Sequence, residues 1–207
     1  MNRPLLVTDC DEVLLHFINP FRGWADEVHG IEFELHHPDF FENLRRKDCG
    51  SSVPQEEGWA IFRQFFTEEM HRQHAAPGAM DALAKVSRHA DVVVLTNLPD
   101  PYQQLRMAQL AGHGADYRVI CNQGPKGPAL ARLIDELSPA ATVFVDDLAK
   151  HHESVAEIAP QVSRLHMVIE PLLAAHVPPA PHAHARIDNW TDALPWIMER
   201  LEVTTVE

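Results

Sequence analysis

Five short apolar runs punctuate the chain: Leu5–Val7, Val92–Leu95, Val119–Cys121, Val143–Val145 and Leu165–Ile169. A wholly apolar run bounded by polar residues predicts a strand buried on both faces, as in a parallel sheet. Helical periodicity fills the intervals. Met80 to His89 is amphipathic, Pro101 to Ala111 is closed by Gly112 and Gly114, and Ala129 to Leu137 and Trp190 to Leu201 follow the same period. Strand and helix patterns that alternate in this way predict an α/β fold, a Rossmann-like parallel sheet flanked by helices, with right-handed crossovers. The Pro- and His-rich stretch 171–186, with His176, His182 and His184, lacks a fixed metal-ligand spacing and reads as a solvated loop.

Residues 16–76 have a different character. Phe21, Trp24 and Val28 share one helical face before Gly30, a C-cap residue. Pro38 to Lys47 begins with Asp39 and Glu42 and ends with Arg45, Arg46 and Lys47, a charge order suited to a helix dipole. Ser52 and Pro54 then start a helix whose apolar stripe is Trp59, Phe62, Phe66 and Met70. The segment is expected to be a small helical cap (16–76) inserted into a core made of 1–15 and 77–207.

The chemistry gathers where the apolar runs stop. Leu5-Leu6-Val7-Thr8 leads into Asp9-Cys10-Asp11, the second long run ends in Thr96-Asn97, and Val143-Phe144-Val145 ends in Asp146-Asp147. Lys126 follows the run at 119–121. Taken singly, Asp9 and Asp11 read equally well as turn aspartates. In a parallel sheet, however, all these strand ends share one edge, where α/β folds bind their ligands. Carboxylates, a hydroxyl and an ammonium converging there suit a phosphate held beside a hard cation, and oxygen ligands favour Mg2+. A carboxylate and a phosphate dianion about 4 Å apart repel by roughly 8 kcal/mol at an effective dielectric near 20, so a cation touching both offsets a large barrier. Thr96, the neighbouring N–H of Asn97 and Lys126 are the expected phosphate-binding groups. Two carboxylates two residues apart can divide labour, with Asp9 as nucleophile and Asp11 as general acid and base. Cys10, between them and without a nearby histidine in sequence, is expected to pack behind the strand.

Composition narrows the partners. The 207-residue chain carries a formal net charge of −13, contrary to what a phosphate backbone attracts, so no nucleic-acid partner is expected. Three cysteines without CxxC spacing fit a reducing compartment. No run is long and apolar enough to cross a membrane, and no signal peptide is evident, so a cytoplasmic protein is expected. The oligomeric state stays open.

The order Asp-x-Asp (Asp9, Asp11), Val-Leu-Thr-Asn (Thr96), Lys126, then Val-Asp-Asp (Asp146, Asp147) resembles the four motifs of the haloacid dehalogenase superfamily, over nearly the whole chain. Pro77-Gly78-Ala79 is similar to that family's return from its cap. The resemblance implies a mobile cap after the first strand. It also implies Mg2+ bound by the Asp9 carboxylate, the Asp11 carbonyl and one of Asp146 and Asp147, Asp147 being favoured. The implied activity is a magnesium-dependent phosphatase acting on a small phosphorylated metabolite through an aspartyl phosphate. A phosphomutase or other phosphotransferase shares every one of these residues, and a noncatalytic relative would bind phospho-ligands without turnover. A dehalogenase is disfavoured by the presence of Asp11. A signalling receiver domain is disfavoured by the order of its motifs. Two positions depart from the family pattern: Glu12 stands where Gly or Ala is common, and His151 where Asp or Asn is frequent. Both His151 and His152 read as helix-face residues. In the cap, Arg22, His36, His37, Arg45, Arg46 and Lys47 are candidate contacts for an anionic leaving group, with hinges near 14–18 and 76–79.

Overall fold

A computed structural model of the chain describes residues 2–35 and 40–202. They divide into two compact units, one of residues His16–His74 and the other of the chain up to Leu15 together with the chain from Ala75 onward.

The larger unit is built on a six-stranded parallel sheet. Its strands are β1 (Leu5–Thr8), β4 (Asp91–Thr96), β5 (Arg118–Cys121), β6 (Thr142–Asp146), β7 (Ser163–His166) and β8 (Ala185–Arg186), in the spatial order β5-β4-β1-β6-β7-β8. Register pairs Thr8 with both Val94 and Val145, Thr96 with Cys121, and Asp146 with His166, so the carboxyl ends lie along one edge. Alternation sorts the apolar side chains between the two faces. Leu6, Val92, Val94, Val143 and Val145 pack with α3 (Ala79–Ser87) and α8 (Trp190–Arg200). Leu5, Val7, Val93, Leu95 and Phe144 pack with α5 (Gly127–Leu137) and α6 (Ala149–Ile158). Strands with apolar residues at every position thus have both faces covered, as their sequence predicts. Helix α4 (Gln103–Gly112) leads into β5. Cys10 is buried within the first of these clusters, as expected.

One stretch differs from its sequence reading. Residues 171–186 are not wholly loop, since α7 (Pro171–Ala174) and β8 lie within them. Arg164 organises this region: its backbone N–H donates to His184 Nδ1 at 3.0 Å and its guanidinium to the His182 carbonyl at 2.7 Å. Two of the three histidines are therefore anchored to β7 by contacts that no local pattern announces.

The smaller unit contains α1 (Ile18–His29), β2 (Ile31–Phe33), β3 (Leu44–Arg46) and α2 (Gln55–Gln64). Gly30 closes α1 in the left-handed conformation, with φ 62°. The expectation of an all-helical insert is corrected here: β2 and β3 pair antiparallel, Ile31 opposite Arg46 and Phe33 opposite Leu44. Of the expected helix 38–47, the described part is a short 3-10 turn (Phe41–Asn43) followed by β3, while Pro38 and Asp39 lie outside the described residues. Ile31 and Phe33 are buried and Glu32 is exposed, and the pairing of this strand with β3 is what makes Leu44–Arg46 extended despite its helical charge order. Helix α2 follows Pro54 as predicted, then widens into a π turn over Phe65–Glu69. That widening takes Phe66 and Met70 out of register with Trp59, which is 43% exposed. The core of this unit is aromatic: Phe21 lies 5.5 Å from Phe33, 5.2 Å from Phe40 and 5.6 Å from Phe65, ring centre to ring centre. Arg46 pairs with Glu57, Lys47 with Asp26, and Arg45 donates to Ser52 Oγ. These cations, read as candidate ligand contacts, thus have partners within their own unit. Arg22 and Lys47 line a shallow pocket with Asp26, Glu32 and Glu34. His36 and His37 lie outside the described residues.

Candidate active site

Asp9 directly follows β1, and its N–H extends the ladder to the Val145 carbonyl at 2.8 Å. Lys126 stands immediately before α5, fully buried, with Nζ 2.7 Å from Asp9 Oδ1 and 2.6 Å from Asp146 Oδ2. Its approach depends on the close packing of α5 on α6. The Gly127 N–H donates to Ser154 Oγ at 3.1 Å, and a Cβ at Gly127 would lie 2.3 Å from the Ser154 carbonyl oxygen. Asp9, Asp146 and Asp147 each bring a carboxylate oxygen within 4.8 Å of the other two. Residues 137 positions apart and more are thereby gathered at one rim of the sheet.

Burial and neighbouring charge set how readily each member of this cluster ionises. Burial pushes the Asp9 carboxyl up to about 7, against the pull of Lys126 and with Asp146 adding to the rise. Burial likewise drives Asp147 well above the usual carboxylate range, reinforced by Asp146, Asp9 and Glu12. Burial also opposes ionisation of Asp146, but the Lys126 ammonium outweighs it and holds that carboxyl below its ordinary value. Lys126 is itself held above its ordinary value by Asp146 and Asp9, despite burial. Burial and mutual repulsion thus hold two of the three acids above their ordinary range, while the ammonium holds the third below it. The donors are all carboxylate oxygens, which suits a hard divalent cation such as Mg2+ and not a soft one.

Thr96 ends β4 and is 1% exposed, and its Oγ1 is buried with no hydrogen-bond partner among the described residues. A buried hydroxyl in that condition is a donor awaiting an acceptor. Asn97 is placed differently. Its side-chain amide donates to the Gly124 carbonyl at 2.9 Å and accepts from Asn122 at 2.9 Å, so the side chain ties the loop after β5. Burial pushes the Cys10 thiol above its ordinary range, which makes it a poor nucleophile beside two aspartates.

Asp11 is held by a partner absent from the sequence reading. Arg106 on α4, fully buried, donates from Nη2 to both Asp11 carboxylate oxygens at 2.8 and 2.9 Å, and from Nη1 to Gln109 at 2.9 Å. The available signal was positional: Arg106 and Leu110 are four apart on one helix face, and both are buried. An arginine on the apolar face of a helix needs a counter-charge, and Asp11 supplies it. His152 and His166 are also buried and bond the carbonyls of Asp146 and Asp147 at 3.0 and 2.8 Å. His151, next in sequence, is buried too and lies 3.5 Å from Asn97 Nδ2. All three are pushed down by burial, His151 and His152 to about 4, and are neutral at physiological pH.

Glu12 takes a left-handed backbone conformation, φ 58°, at 3% exposure. This is the position where the family pattern carries a small residue. Left-handed φ is strained for any residue with a Cβ.

Neither a family sequence profile nor a curated protein matches the chain. Solved structures do. A haloacid dehalogenase-like family hydrolase from Streptococcus pneumoniae is 12% identical, covering 93% of this chain and 97% of its own, with a TM-score of 0.63. A candidate HAD-hydrolase from Bacillus subtilis, described as bound to magnesium, is 13% identical over 98% of this chain and 100% of its own, with a TM-score of 0.66. A candidate β-phosphoglucomutase from Thermotoga maritima is 17% identical over 95% of this chain and 99% of its own, with a TM-score of 0.59. At these identities the likeness is one of architecture. The chain has the haloacid dehalogenase-like fold, a parallel Rossmann-like sheet flanked by helices.

Proposed function

We propose that the protein is a magnesium-dependent phosphatase that hydrolyses a small phosphate ester through an aspartyl phosphate on Asp9. The observation that carries this reading is the convergence of the Asp9, Asp146 and Asp147 carboxylates around the Lys126 ammonium. Asp9, Asp147 and the Asp11 carbonyl would hold Mg2+, with Asp146 engaged by Lys126. The ion supplies charge neutralisation between phosphate and carboxylate. Lys126 keeps Asp9 oriented and adds positive charge where the phosphoryl oxygens gather. Thr96 Oγ1 donates to one of those oxygens. The Asp9 carboxylate attacks phosphorus as the ester P–O bond breaks, with Asp11 giving the leaving oxygen a proton; water then attacks the aspartyl phosphate, its proton returns to Asp11, and phosphate leaves the freed Asp9 carboxylate. Arg106 fixes which way the Asp11 carboxylate faces. Similarity to magnesium-bound and phosphomutase-like structures of the same fold supports the reading.

The test is phosphate release from a panel of phosphorylated metabolites, with Mg2+ and with chelator, by the wild type and Asp9→Asn. Metal-dependent release that Asp9→Asn reduces by at least a thousandfold is expected. Full turnover by that variant would assign the nucleophile elsewhere. Transfer to sugar acceptors in preference to water would identify a phosphotransferase on the same residues.

A further inference from the structure

Neighbouring side chains on a strand point to opposite faces of the sheet. Asp146 is the last residue of β6 and Asp147 the next, yet both carboxylates belong to one cluster with Asp9. The ladder ends at Asp146, whose carbonyl still accepts the bond from the strand beside it, whereas the Asp147 carbonyl lies beyond the ladder and needs another donor. The Asp146 carbonyl accepts the Met167 N–H at 3.0 Å and His152 Nε2 at 3.0 Å. The Asp147 carbonyl accepts from His166 Nε2 at 2.8 Å. His166 Nδ1 accepts the Ala180 N–H at 3.0 Å, which places the ring proton on Nε2. Both rings are wholly buried, and they meet edge to face at 5.5 Å, with His152 also against Phe144 at 5.5 Å. One comes from α6 and one from β7, so they grip the turn from two sides.

We propose that His152 and His166 are positioning residues that pin the Asp146 and Asp147 carbonyls, and so set both carboxylates toward Asp9 for Mg2+. The inference rests on the metal-site reading above. The imidazoles do not touch the ion. They fix the backbone from which its ligands project, and loss of such supporting bonds lowers metal affinity by about 10- to 100-fold.

Mg2+ binding is measured by calorimetry on the wild type, Asp147→Asn, and the Gln and Phe variants of His152 and His166, with thermal unfolding as the check on folding. Glutamine can place an amide N–H near the lost Nε2, and phenylalanine keeps the ring without the donor. The Phe variants are expected to bind Mg2+ at least tenfold more weakly, and the Gln variants within about threefold of the wild type. Folded Phe variants with wild-type affinity overturn this inference alone. A wild type that binds no Mg2+, or an Asp147→Asn variant that binds normally, overturns the metal reading beneath it as well. Nitrogen-15 histidine spectra of the wild type decide the case if the Phe variants do not fold. Nε2-protonated rings whose Nε2–H resonances move as Mg2+ is added support the proposal. Nδ1-protonated rings, or resonances that stay still while Mg2+ binds, refute it.

Discussion

A single nitrogen of Arg106 reaches both carboxylate oxygens of Asp11, 95 residues away, at 2.8 and 2.9 Å. The guanidinium is wholly buried, whereas the Asp11 side chain is 21% exposed. The two partners therefore differ in what their loss leaves behind. Asp11→Asn takes from a buried cation the carboxylate it pairs with and is expected to cost about 3–5 kcal/mol. Arg106→Met leaves a carboxylate that water can reach and is expected to cost about 1–2 kcal/mol less than that. The double variant should be more stable than the sum of the two predicts, as a double-mutant cycle by urea unfolding will show. Strictly additive losses would contradict a coupled pair.

If the acidic cluster holds Mg2+ as proposed, its binding depends on pH. Asp9 ionises at about 7 in the fold, against an ordinary value of 3.8. Between those values the metal-free fold holds a proton that the unfolded chain has released. Its contribution to stability is present in full below pH 3.8 and is lost as pH rises through 7. A divalent cation would replace that proton, so the rise in Tm on adding Mg2+ should grow from pH 5 and level off above pH 7. Thermal unfolding with Mg2+ and with chelator measures it. A rise that is flat between pH 5 and pH 7 would remove Asp9 from the proposed metal site.

The seat of Lys126 depends on a glycine. A Cβ at Gly127 meets the Ser154 backbone oxygen at 2.3 Å and the Ser154 hydroxyl at 2.6 Å. Backbone cannot rotate away, so Gly127→Ala must part α5 from α6, at a cost of about 1–3 kcal/mol. Because Lys126 is adjacent, turnover should fall even at temperatures where the variant stays folded. Adding Ser154→Ala removes only the hydroxyl contact and should restore little. Chemical denaturation together with phosphate release checks both points, and a variant of wild-type stability would show that the helices can separate freely.

Glu12 offers a gain in stability. Its φ of 58° is strained for a side chain, and its carboxylate adds, after burial, Asp146 and Asp9, to the rise of the Asp147 carboxyl. Glu12→Gly removes both and is expected to stabilise the metal-free protein by about 1 kcal/mol. The backbone bonds from its N–H to the Leu15 carbonyl and from Ile169 to its own carbonyl do not involve the side chain. Destabilisation in urea would show that the side chain's contacts outweigh the strain.

The strands of the larger unit and the gathering of acidic groups with Lys126 at one rim were legible in the sequence because both are consequences of local pattern. Apolar runs buried on both faces have no other stable setting than the middle of a layered sheet, and parallel strands deliver their last residues to a common edge. Asp9, Thr96, Lys126, Asp146 and Asp147 are all such strand-end or loop residues. What the sequence could not determine was the set of contacts made across long intervals. The pairing of Arg106 with Asp11, the grip of His152 and His166 on two carbonyls, and the tie of Asn97 to Gly124 each depend on three-dimensional proximity alone. The hairpin of β2 and β3 was missed for the same reason. A three-residue strand carries too little periodicity to outweigh a helical charge order, and only pairing with its partner, over an aromatic core, makes it a strand.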